Sequence, residues 1–281
     1  MLKNNIFTPG NVAIITGAAS GIGKAMCKRF AQGGMSVCLV DLASKDLDKA
    51  TEEIDAMTSK GGVEVLKVPT DVSEPSDIEA LHRKVIARLG KVNVLVNNAV
   101  TRIGRGYSAD LSDWRRAMEV NFWGVVYAVR TFLPNMLSMD EPGMIINVGS
   151  KQGITNPPDH PIYNITKAAL KAYAEALEHE LRTNAENKGE NRVSSHLLIP
   201  GWTTTGTKHH KSGAWLPDQV VDFMCEALAR GDFYILCPDD EVTTQMDHKR
   251  ILWGAGDIIH NRPPLSRWHP DFRDKAKREC S

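Results

Sequence analysis

Two residues on one predicted helix face could transfer a proton. Tyr163 and Lys167 lie four positions apart at the start of a helix predicted over residues 161–186. Side chains at this spacing share one face of a helix. A tyrosine hydroxyl, whose pKa is about 10, is a poor base near neutral pH, but an adjacent ammonium group favours its phenolate. The pair predicts a tyrosine acid/base, although the same spacing is common in helices without any such role.

Two further polar residues could complete this group. Ser150 follows a strand predicted over residues 144–148, and ligands bind at the carboxyl ends of strands in an open parallel sheet. Its hydroxyl could hydrogen-bond a substrate oxygen and orient it. Asn121 lies inside a helix predicted over residues 111–137, where a buried amide needs hydrogen-bond partners. Asn121 either makes a structural hydrogen bond or anchors a water that links Lys167 to solvent.

A glycine-rich segment follows the first predicted strand, over residues 12–15, and precedes a helix predicted over residues 21–33. Glycines let the chain turn sharply and let its backbone approach a pyrophosphate, which the amino end of the helix attracts. The spacing G-x-x-x-G-x-G differs from G-x-G-x-x-G and indicates a subfamily of dinucleotide sites. The predicted contacts are Gly17, Ser20, Gly21, Ile22 and Gly23.

Asp41 ends the second predicted strand, eighteen residues after Gly23. A carboxylate there can accept hydrogen bonds from the adenosine ribose, and it repels a 2′-phosphate. We therefore expect NAD rather than NADP, the alternative being that Asp41 is only a turn or cap residue. Further cofactor contacts are predicted after the third and fourth strands, at Asp71, Val72, Asn98 and Ala99.

Short apolar runs rich in Val, Ile and Leu alternate with amphipathic segments along the chain. Such runs are typical of parallel strands buried on both faces, and the segments between them are long enough for helical crossovers. This alternation predicts an α/β fold with a doubly wound parallel sheet, a Rossmann fold. Strands are expected at 12–15, 36–40, 63–68, 92–96, 144–148, 193–199 and 232–237.

The domain organisation is expected to be simple. No repeat or linker divides the sequence, so we predict one domain over residues 1–253. A last helix is expected over residues 239–253. The tail over residues 254–281 is expected either to be disordered or to wrap its own or a neighbouring subunit.

The composition excludes several classes of protein. The chain has 34 basic and 34 acidic residues, which gives no electrostatic case for nucleic acid or for an anionic membrane. Residues 1–11 lack the apolar core of a secretory signal, so we expect none, and the sequence contains no run of about 18 apolar residues. Its 5 cysteines lack any metal-ligand spacing, so we expect free thiols, no metal and a cytoplasmic location.

Taken together, these motifs resemble the short-chain dehydrogenase/reductase family, in its order and spacing, over approximately residues 10–206. The resemblance implies a catalytic tetrad of Asn121, Ser150, Tyr163 and Lys167. Tyr163 and Lys167 would also contact the cofactor, with Lys167 holding the nicotinamide ribose. The resemblance adds cofactor contacts at Pro200, Gly201, Thr203 and Thr205. It also implies a homotetramer or homodimer formed through the helix that carries Tyr163 and the helix before it.

Some positions depart from the family pattern. Val100 stands where a glycine usually follows Asn-Asn-Ala, and Gly149 replaces a serine before Ser150. Lys151, next in the chain, is either a solvated neighbour or an anion contact at the substrate mouth. The family's substrate loop corresponds to residues 204–216. It is either a mobile surface loop or a positive, aromatic lid for an anionic substrate, through Lys208, His209, His210, Lys211 and Trp215.

The expected activity is hydride transfer between NAD(H) and a secondary alcohol or ketone, with Tyr163 as acid/base. Two alternatives remain. One is an NADPH-dependent carbonyl reductase, and the other is a dinucleotide-binding protein without catalysis. The tetrad argues against the second, because a binding module has no use for Tyr163 beside Lys167.

Overall fold

The computed structural model describes residues 6–58, 61–188, 192–206 and 210–281, with residues 185–188 described as backbone only. The strands are β1 (Val12–Thr16), β2 (Ser36–Asp41), β3 (Val65–Pro69), β4 (Val94–Asn97), β5 (Gly143–Val148), β6 (Val193–Ile199) and β7 (Tyr234–Leu236). The helices are α1 (Gly21–Gln32), α2 (Lys45–Thr58), α3 (Pro75–Leu89), α4 (Leu111–Met118), α5 (Gly124–Ser138), α6 (Gln152–Thr155), α7 (Pro161–Lys188), α8 (Pro217–Arg230), α9 (Thr244–Ile259) and α10 (Arg273–Glu279).

The strands form one seven-stranded sheet in the order β3-β2-β1-β4-β5-β6-β7. Every neighbouring pair is parallel. The predicted doubly wound Rossmann fold is therefore confirmed. The strand order reverses between β1 and β4, and in such sheets the crevice for ligands opens at the carboxyl ends of the strands beside that reversal.

Helices cover both faces of the sheet with apolar side chains. On one face, Phe30 of α1 and Met224 of α8 are fully buried together with the strands. On the other face, Phe132 of α5 and Leu170 of α7 are buried in a second cluster. Fully burying one such side chain contributes about 1.5–3 kcal/mol. The two clusters hold the sheet rigidly and so fix the ends of its strands.

The helix predicted over residues 111–137 is interrupted. A π turn, Glu119–Trp123, separates α4 from α5. Single π turns within helices often occur at functional sites. This one contains Asn121, whose side chain is completely buried.

The last predicted helix has different bounds. It was expected over residues 239–253, but α9 begins after Thr243, whose hydroxyl accepts a hydrogen bond from Met246 N at 3.2 Å. Asp239 instead forms a turn, because its Oδ1 accepts bonds from the backbone N–H groups of Glu241 and Val242. These side-chain-to-backbone bonds compete with helix formation and delay the helix start.

The tail packs against its own chain. Helix α9 continues past residue 253 to Ile259, and the chain then returns through α10. Ala276 and Cys280 are buried against Trp253, and Trp253 Nε1 donates a hydrogen bond to Ser266 Oγ at 2.8 Å. The division of the chain into a domain and a tail at residue 253 stays a prediction. Across the ranges given above, no helix has the length and apolar character needed to cross a membrane.

Candidate active site

A cleft of about 750 Å³ opens at the carboxyl ends of the strands beside the reversal of strand order. Two residues predicted for the site, Gly23 and Asn121, do not line it. The cleft brings together the other predicted site residues: Gly17, Ser20, Gly21, Ile22, Asp41, Asp71, Val72, Asn98, Ala99, Ser150, Tyr163, Lys167, Pro200, Gly201, Thr203 and Thr205.

The glycine loop fits a pyrophosphate. Gly17 and Gly21 have φ values of +67° and +55°, a conformation that favours glycine. A Cβ on Gly17 would lie 2.7 Å from Asn98 Nδ2, and a Cβ on Gly23 would collide with the carbonyl oxygen of Gly17. Gly23 therefore lets α1 pack against the loop, while the amino end of α1 faces the cleft as anion binding requires.

Asn98 fixes this loop to the end of β4. Its Nδ2 donates hydrogen bonds to Thr16 O at 2.9 Å and to Gly17 O at 3.1 Å. In return, Thr16 Oγ1 accepts bonds from the backbone N–H groups of Asn98 and Ala99. The preceding Asn97 is buried away from the cleft. The Asn98 side chain thus holds the glycine loop against the end of β4.

The Asp41 carboxylate lies at the cleft wall and also braces the loop. Its Oδ2 accepts a hydrogen bond from Ala19 N at 2.9 Å, and its Oδ1 accepts one from Leu42 N at 2.8 Å. Each carboxylate oxygen can accept a second hydrogen bond. The carboxylate is thereby oriented and can still accept hydrogen bonds from ribose hydroxyls.

The Asp71 carboxylate already bonds other protein residues, which its position in the sequence did not suggest. Its Oδ2 lies 2.9 Å from Arg116 Nη2, and its Oδ1 accepts hydrogen bonds from the N–H and hydroxyl of Ser73. Burial raises the pKa of the Asp71 carboxyl, but the hydrogen bonds from Ser73 and Arg116 and the charge of Arg116 outweigh burial and lower it. Arg116, which also lines the cleft, was not predicted from the sequence.

Tyr163 lies in the first turn of α7 and is 8% exposed. Burial raises the pKa of its phenol. The charges of Lys167 and Arg102, with hydrogen bonds to Arg102 and Ser150, outweigh burial and hold the pKa below its ordinary value. This arrangement suits a residue that must gain and lose a proton near neutral pH.

Lys167 is buried beside that tyrosine. Its Nζ lies 5.9 Å from the centroid of the Tyr163 ring and donates a hydrogen bond to Val148 O at 2.6 Å. Burial lowers the pKa of the Lys167 ammonium, and the charge of the Tyr163 phenolate opposes this effect. The ammonium group is thus held by the end of β5 as well as by its own helix.

Arg102 is a cleft residue that the sequence reasoning missed. Its Nη2 donates a hydrogen bond to Tyr163 Oη at 3.1 Å, and its guanidinium carbon lies 4.3 Å from the centroid of the tyrosine ring. Arg102 belongs to the loop between β4 and α4, which has no hydrophobic periodicity. The available signal was its closeness in sequence to the Asn97-Asn98-Ala99 turn at the end of a central strand.

The buried Asn121 amide has protein partners on both sides. Its Oδ1 accepts a hydrogen bond from Thr101 N at 2.8 Å. Its Nδ2 donates to Thr101 O at 3.0 Å and to Thr166 Oγ1 at 3.1 Å. Asn121 therefore ties the loop after β4 to the helix that carries Tyr163 and Lys167. Whether it also anchors a water stays a prediction.

Comparison with known proteins identifies the family. The family described as short chain dehydrogenase matches residues 11–214. The chain belongs to the short-chain dehydrogenase family. The CLA biosynthesis dehydrogenase/reductase of Lactiplantibacillus plantarum is 28% identical over 283 residues, which cover 89% of this chain and 96% of that protein.

Two solved structures resemble this short-chain dehydrogenase over most of its length. One is a short chain dehydrogenase/reductase from Burkholderia phymatum in complex with NAD; it is 29% identical, with a TM-score of 0.78, and the match covers 93% of this chain and 98% of that one. The other is L-sorbose reductase from Gluconobacter frateurii complexed with NADPH and L-sorbose. It is 30% identical, with a TM-score of 0.64, and the match covers 72% of this chain and 73% of that one.

In this short-chain dehydrogenase, Lys151 is neither a solvated neighbour of Ser150 nor a free anion contact. Its Nζ lies 3.2 Å from Asp239 Oδ2 and 2.6 Å from Asp247 Oδ2, and all three side chains are largely buried. Asp239 Oδ2 also accepts a hydrogen bond from Trp202 N at 3.0 Å. The lysine therefore holds the segment at 200–205 against α9.

Residues 204–216, predicted from the resemblance to be the substrate loop, are partly described, since Lys208 and His209 lie outside the described residues. Trp215 N donates to Trp202 O at 2.8 Å, and Trp215 Nε1 donates to Asp240 Oδ1 at 3.0 Å. Trp215 thus anchors one end of the loop and does not line the cleft. All five cysteines are free. Within residues 6–58, 61–188, 192–206 and 210–281, no cluster of three or more His, Cys, Asp or Glu could hold a metal ion.

Proposed function

We propose that this short-chain dehydrogenase transfers a hydride between NAD(H) and a secondary alcohol or ketone, with Tyr163 as the acid/base. One observation carries the proposal. Tyr163 lines the cleft beside a buried ammonium group, and a guanidinium donates a hydrogen bond to its hydroxyl; both cations lower the pKa of its phenol. A catalytically idle dinucleotide-binding protein has no need for a tyrosine perturbed in this way.

The dinucleotide, when bound along the glycine loop and the 200–205 segment, supplies the carbon that accepts or donates the hydride. The protein handles the oxygen and the proton. Ser150, hydrogen-bonded to Tyr163, orients the substrate oxygen. In the oxidative direction the Tyr163 phenolate accepts the hydroxyl proton, and Lys167 stabilises the phenolate before the transfer. In the reductive direction the protonated tyrosine donates that proton to the carbonyl oxygen.

Asp41 supports NAD as the cofactor. Its carboxylate, held by Ala19 N and Leu42 N, would lie against a 2′-phosphate and repel it. Arg116, a cation that lines the same cleft, is already paired with Asp71. Among similar proteins, one structure contains NAD and another contains NADPH, so the choice depends on this chain's own residues.

The tyrosine mechanism is tested by following the absorbance of reduced nicotinamide with a panel of secondary alcohols and ketones. We expect Tyr163→Phe to lower kcat by about a hundredfold to ten-thousandfold, the usual contribution of a general acid/base, while dinucleotide binding persists. Tyr107→Phe is the matched control, because Tyr107 is 93% exposed and outside the cleft. Full turnover by Tyr163→Phe on a substrate of the wild type would refute the proposal.

The cofactor preference is tested by comparing kcat/KM for NAD and NADP. We expect the wild type to favour NAD by at least about a hundredfold, because juxtaposed like charges cost several kcal/mol. Asp41→Ala should narrow that ratio, and Asp55→Ala, an exposed change on α2 away from the cleft, should not. Tighter binding of NADP than of NAD by the wild type would contradict this assignment.

A further inference from the structure

Arg102 brings a positive charge to within one hydrogen bond of the reacting oxygen of Tyr163. The bond from Nη2 to Tyr163 Oη is 3.1 Å long. Arg102 is nevertheless an exposed residue, and it lines the cleft. Because the guanidinium already lies at the cleft surface, it can contact a molecule that enters the cleft.

The other cations that line the described cleft are already engaged. Arg116 is paired with Asp71. Lys151 is held between two buried aspartates. Lys167 is buried and bonded to the carbonyl oxygen of Val148. Among the described cleft residues, Arg102 is the cation that has neither a carboxylate nor a backbone carbonyl as its partner. It bonds the Tyr163 oxygen instead.

The backbone on both sides of Arg102 is fixed. Asn121 bonds both the N–H and the carbonyl of Thr101. Gly104 has a φ of +67°, and a Cβ there would lie 2.6 Å from Ile162 Cδ1, next to the catalytic tyrosine. The loop is therefore clamped to the π turn at one end and pressed against α7 at the other. A guanidinium positioned in this way is preorganised for binding.

We propose that Arg102 binds a substrate carboxylate, so that the enzyme oxidises hydroxy acids whose carbinol carbon lies one or two carbons from the carboxylate, and reduces the matching oxo acids. The inference rests on the proposed function and deepens it. A guanidinium presents a planar fork that matches a carboxylate. Because Nη2 and Tyr163 Oη are 3.1 Å apart, the carboxylate and the reacting oxygen that they bind must also be close, as in a 2- or 3-hydroxy acid.

The reaction leaves the carboxylate unchanged. In oxidation the carbinol C–H bond breaks and its hydride passes to the oxidised nicotinamide dinucleotide. The O–H bond breaks and its proton passes to the Tyr163 phenolate, which leaves a carbonyl, a protonated tyrosine and the reduced dinucleotide. Arg102 exchanges its bond to Tyr163 Oη for bonds to the carboxylate and so releases the tyrosine oxygen for the substrate.

The first test compares each acid with its neutral ester, using 3-hydroxybutyrate with methyl 3-hydroxybutyrate and lactate with methyl lactate. We expect the wild type to have a higher kcat/KM for at least one acid than for its ester. Arg102→Met should reduce that acid-to-ester ratio by about tenfold to a hundredfold, the usual effect of losing a hydrogen bond to a charged group. Arg102→Lys should retain part of the ratio, because it keeps the charge and loses the fork.

Arg105→Met is the matched control. Arg105 is an exposed arginine three residues further along the same loop, and it does not line the cleft. Its removal should leave the acid-to-ester ratio unchanged. A ratio that falls equally in both variants would overturn the proposal, because the effect would then come from the general charge of the loop.

A second readout does not require turnover. Butyrate, which has the carboxylate and lacks the hydroxyl, is titrated calorimetrically into the protein in the presence of NAD. We expect at least tenfold weaker binding to Arg102→Met than to the wild type or to Arg105→Met. Butyrate binding that is absent or independent of Arg102 overturns the proposal.

The two readouts separate the two proposals. If esters and neutral alcohols are oxidised but neither acid is preferred, the carboxylate site is wrong and the proposed function stands. If no alcohol or ketone is turned over and butyrate still binds through Arg102, the proposed function is wrong and the carboxylate site stands.

Discussion

Replacing Lys151 by methionine should expose how strongly the protein depends on a buried cation. The Lys151 side chain is 14% exposed, and its partners Asp239 and Asp247 are 3% and 4% exposed. The variant removes the positive charge and leaves two carboxylates that share one buried site. Removing one partner of a buried ion pair typically costs about 3–5 kcal/mol of unfolding free energy, and we expect a loss in that range.

The loss should depend on pH. Burial raises the pKa of Asp247, and the charge and hydrogen bond of Lys151 oppose this effect. Without Lys151 the pKa of Asp247 rises further, so the carboxyl takes up a proton at a higher pH than in the wild type. An acid whose pKa is raised on folding stabilises the fold below its unfolded pKa, and this contribution disappears as the pH rises through the folded pKa. The destabilisation should therefore be smallest at acidic pH and greatest above the folded pKa of Asp247.

The assay is urea unfolding at one fixed protein concentration, read by tryptophan fluorescence and by circular dichroism. A lower midpoint with an unchanged slope reports lost stability. The control is Lys171→Met, since Lys171 pairs with Glu175 one helical turn away and both side chains are about one third exposed. Such a pair contributes about 0.3–0.5 kcal/mol. If both variants lost the same stability, the argument from burial would be refuted.

Three further predictions follow from the site and its surroundings. At limiting substrate, the rate of alcohol oxidation should rise with pH through the lowered pKa of Tyr163, and the rate of ketone reduction should fall. Arg102→Met should move both pH profiles to higher pH. An unmoved profile would show that Arg102 does not affect the pKa of the tyrosine. Gly23→Ala should lower the free energy of unfolding by about 1–3 kcal/mol through overpacking and weaken dinucleotide binding, because the added Cβ meets the carbonyl oxygen of Gly17. Unchanged dinucleotide binding, measured by calorimetry, would contradict this. Trp123 on the π turn and Ile165 on α7 are 41% and 47% exposed. If the chain forms a homo-oligomer through these helices, Trp123→Glu and Ile165→Glu should each yield monomers in sedimentation. Retention of the oligomer by both variants would place the interface elsewhere.

The features that depend on local pattern could be predicted from the sequence. The continuous apolar run at residues 12–15 became a strand because both faces of a parallel sheet are covered by helices. Tyr163 and Lys167 became neighbours because helix geometry brings residues four apart onto one face. Gly23 was recognised from its spacing, although the structure gives it a packing role.

The features that depend on distant contacts could not be predicted. The π turn around Asn121 forms where the buried amide bonds a loop twenty residues earlier and a helix 45 residues later. Lys151 was weighed as a solvated neighbour or an anion contact, and its two aspartates lie 88 and 96 residues further along the chain. No period or motif in the sequence encodes such pairs.

Lys167 and Arg102 both lower the pKa of Tyr163, but they cannot act in the same way once a substrate is bound. Lys167 is buried and bonded to Val148 O, so its charge remains beside the phenolate throughout the reaction. Arg102 is open to the cleft, and a bound carboxylate would neutralise most of its charge. The lasting electrostatic support of the phenolate must then come from the lysine, whose place is fixed by helix geometry, while the arginine, whose place is fixed only by loop contacts, remains free to select the substrate.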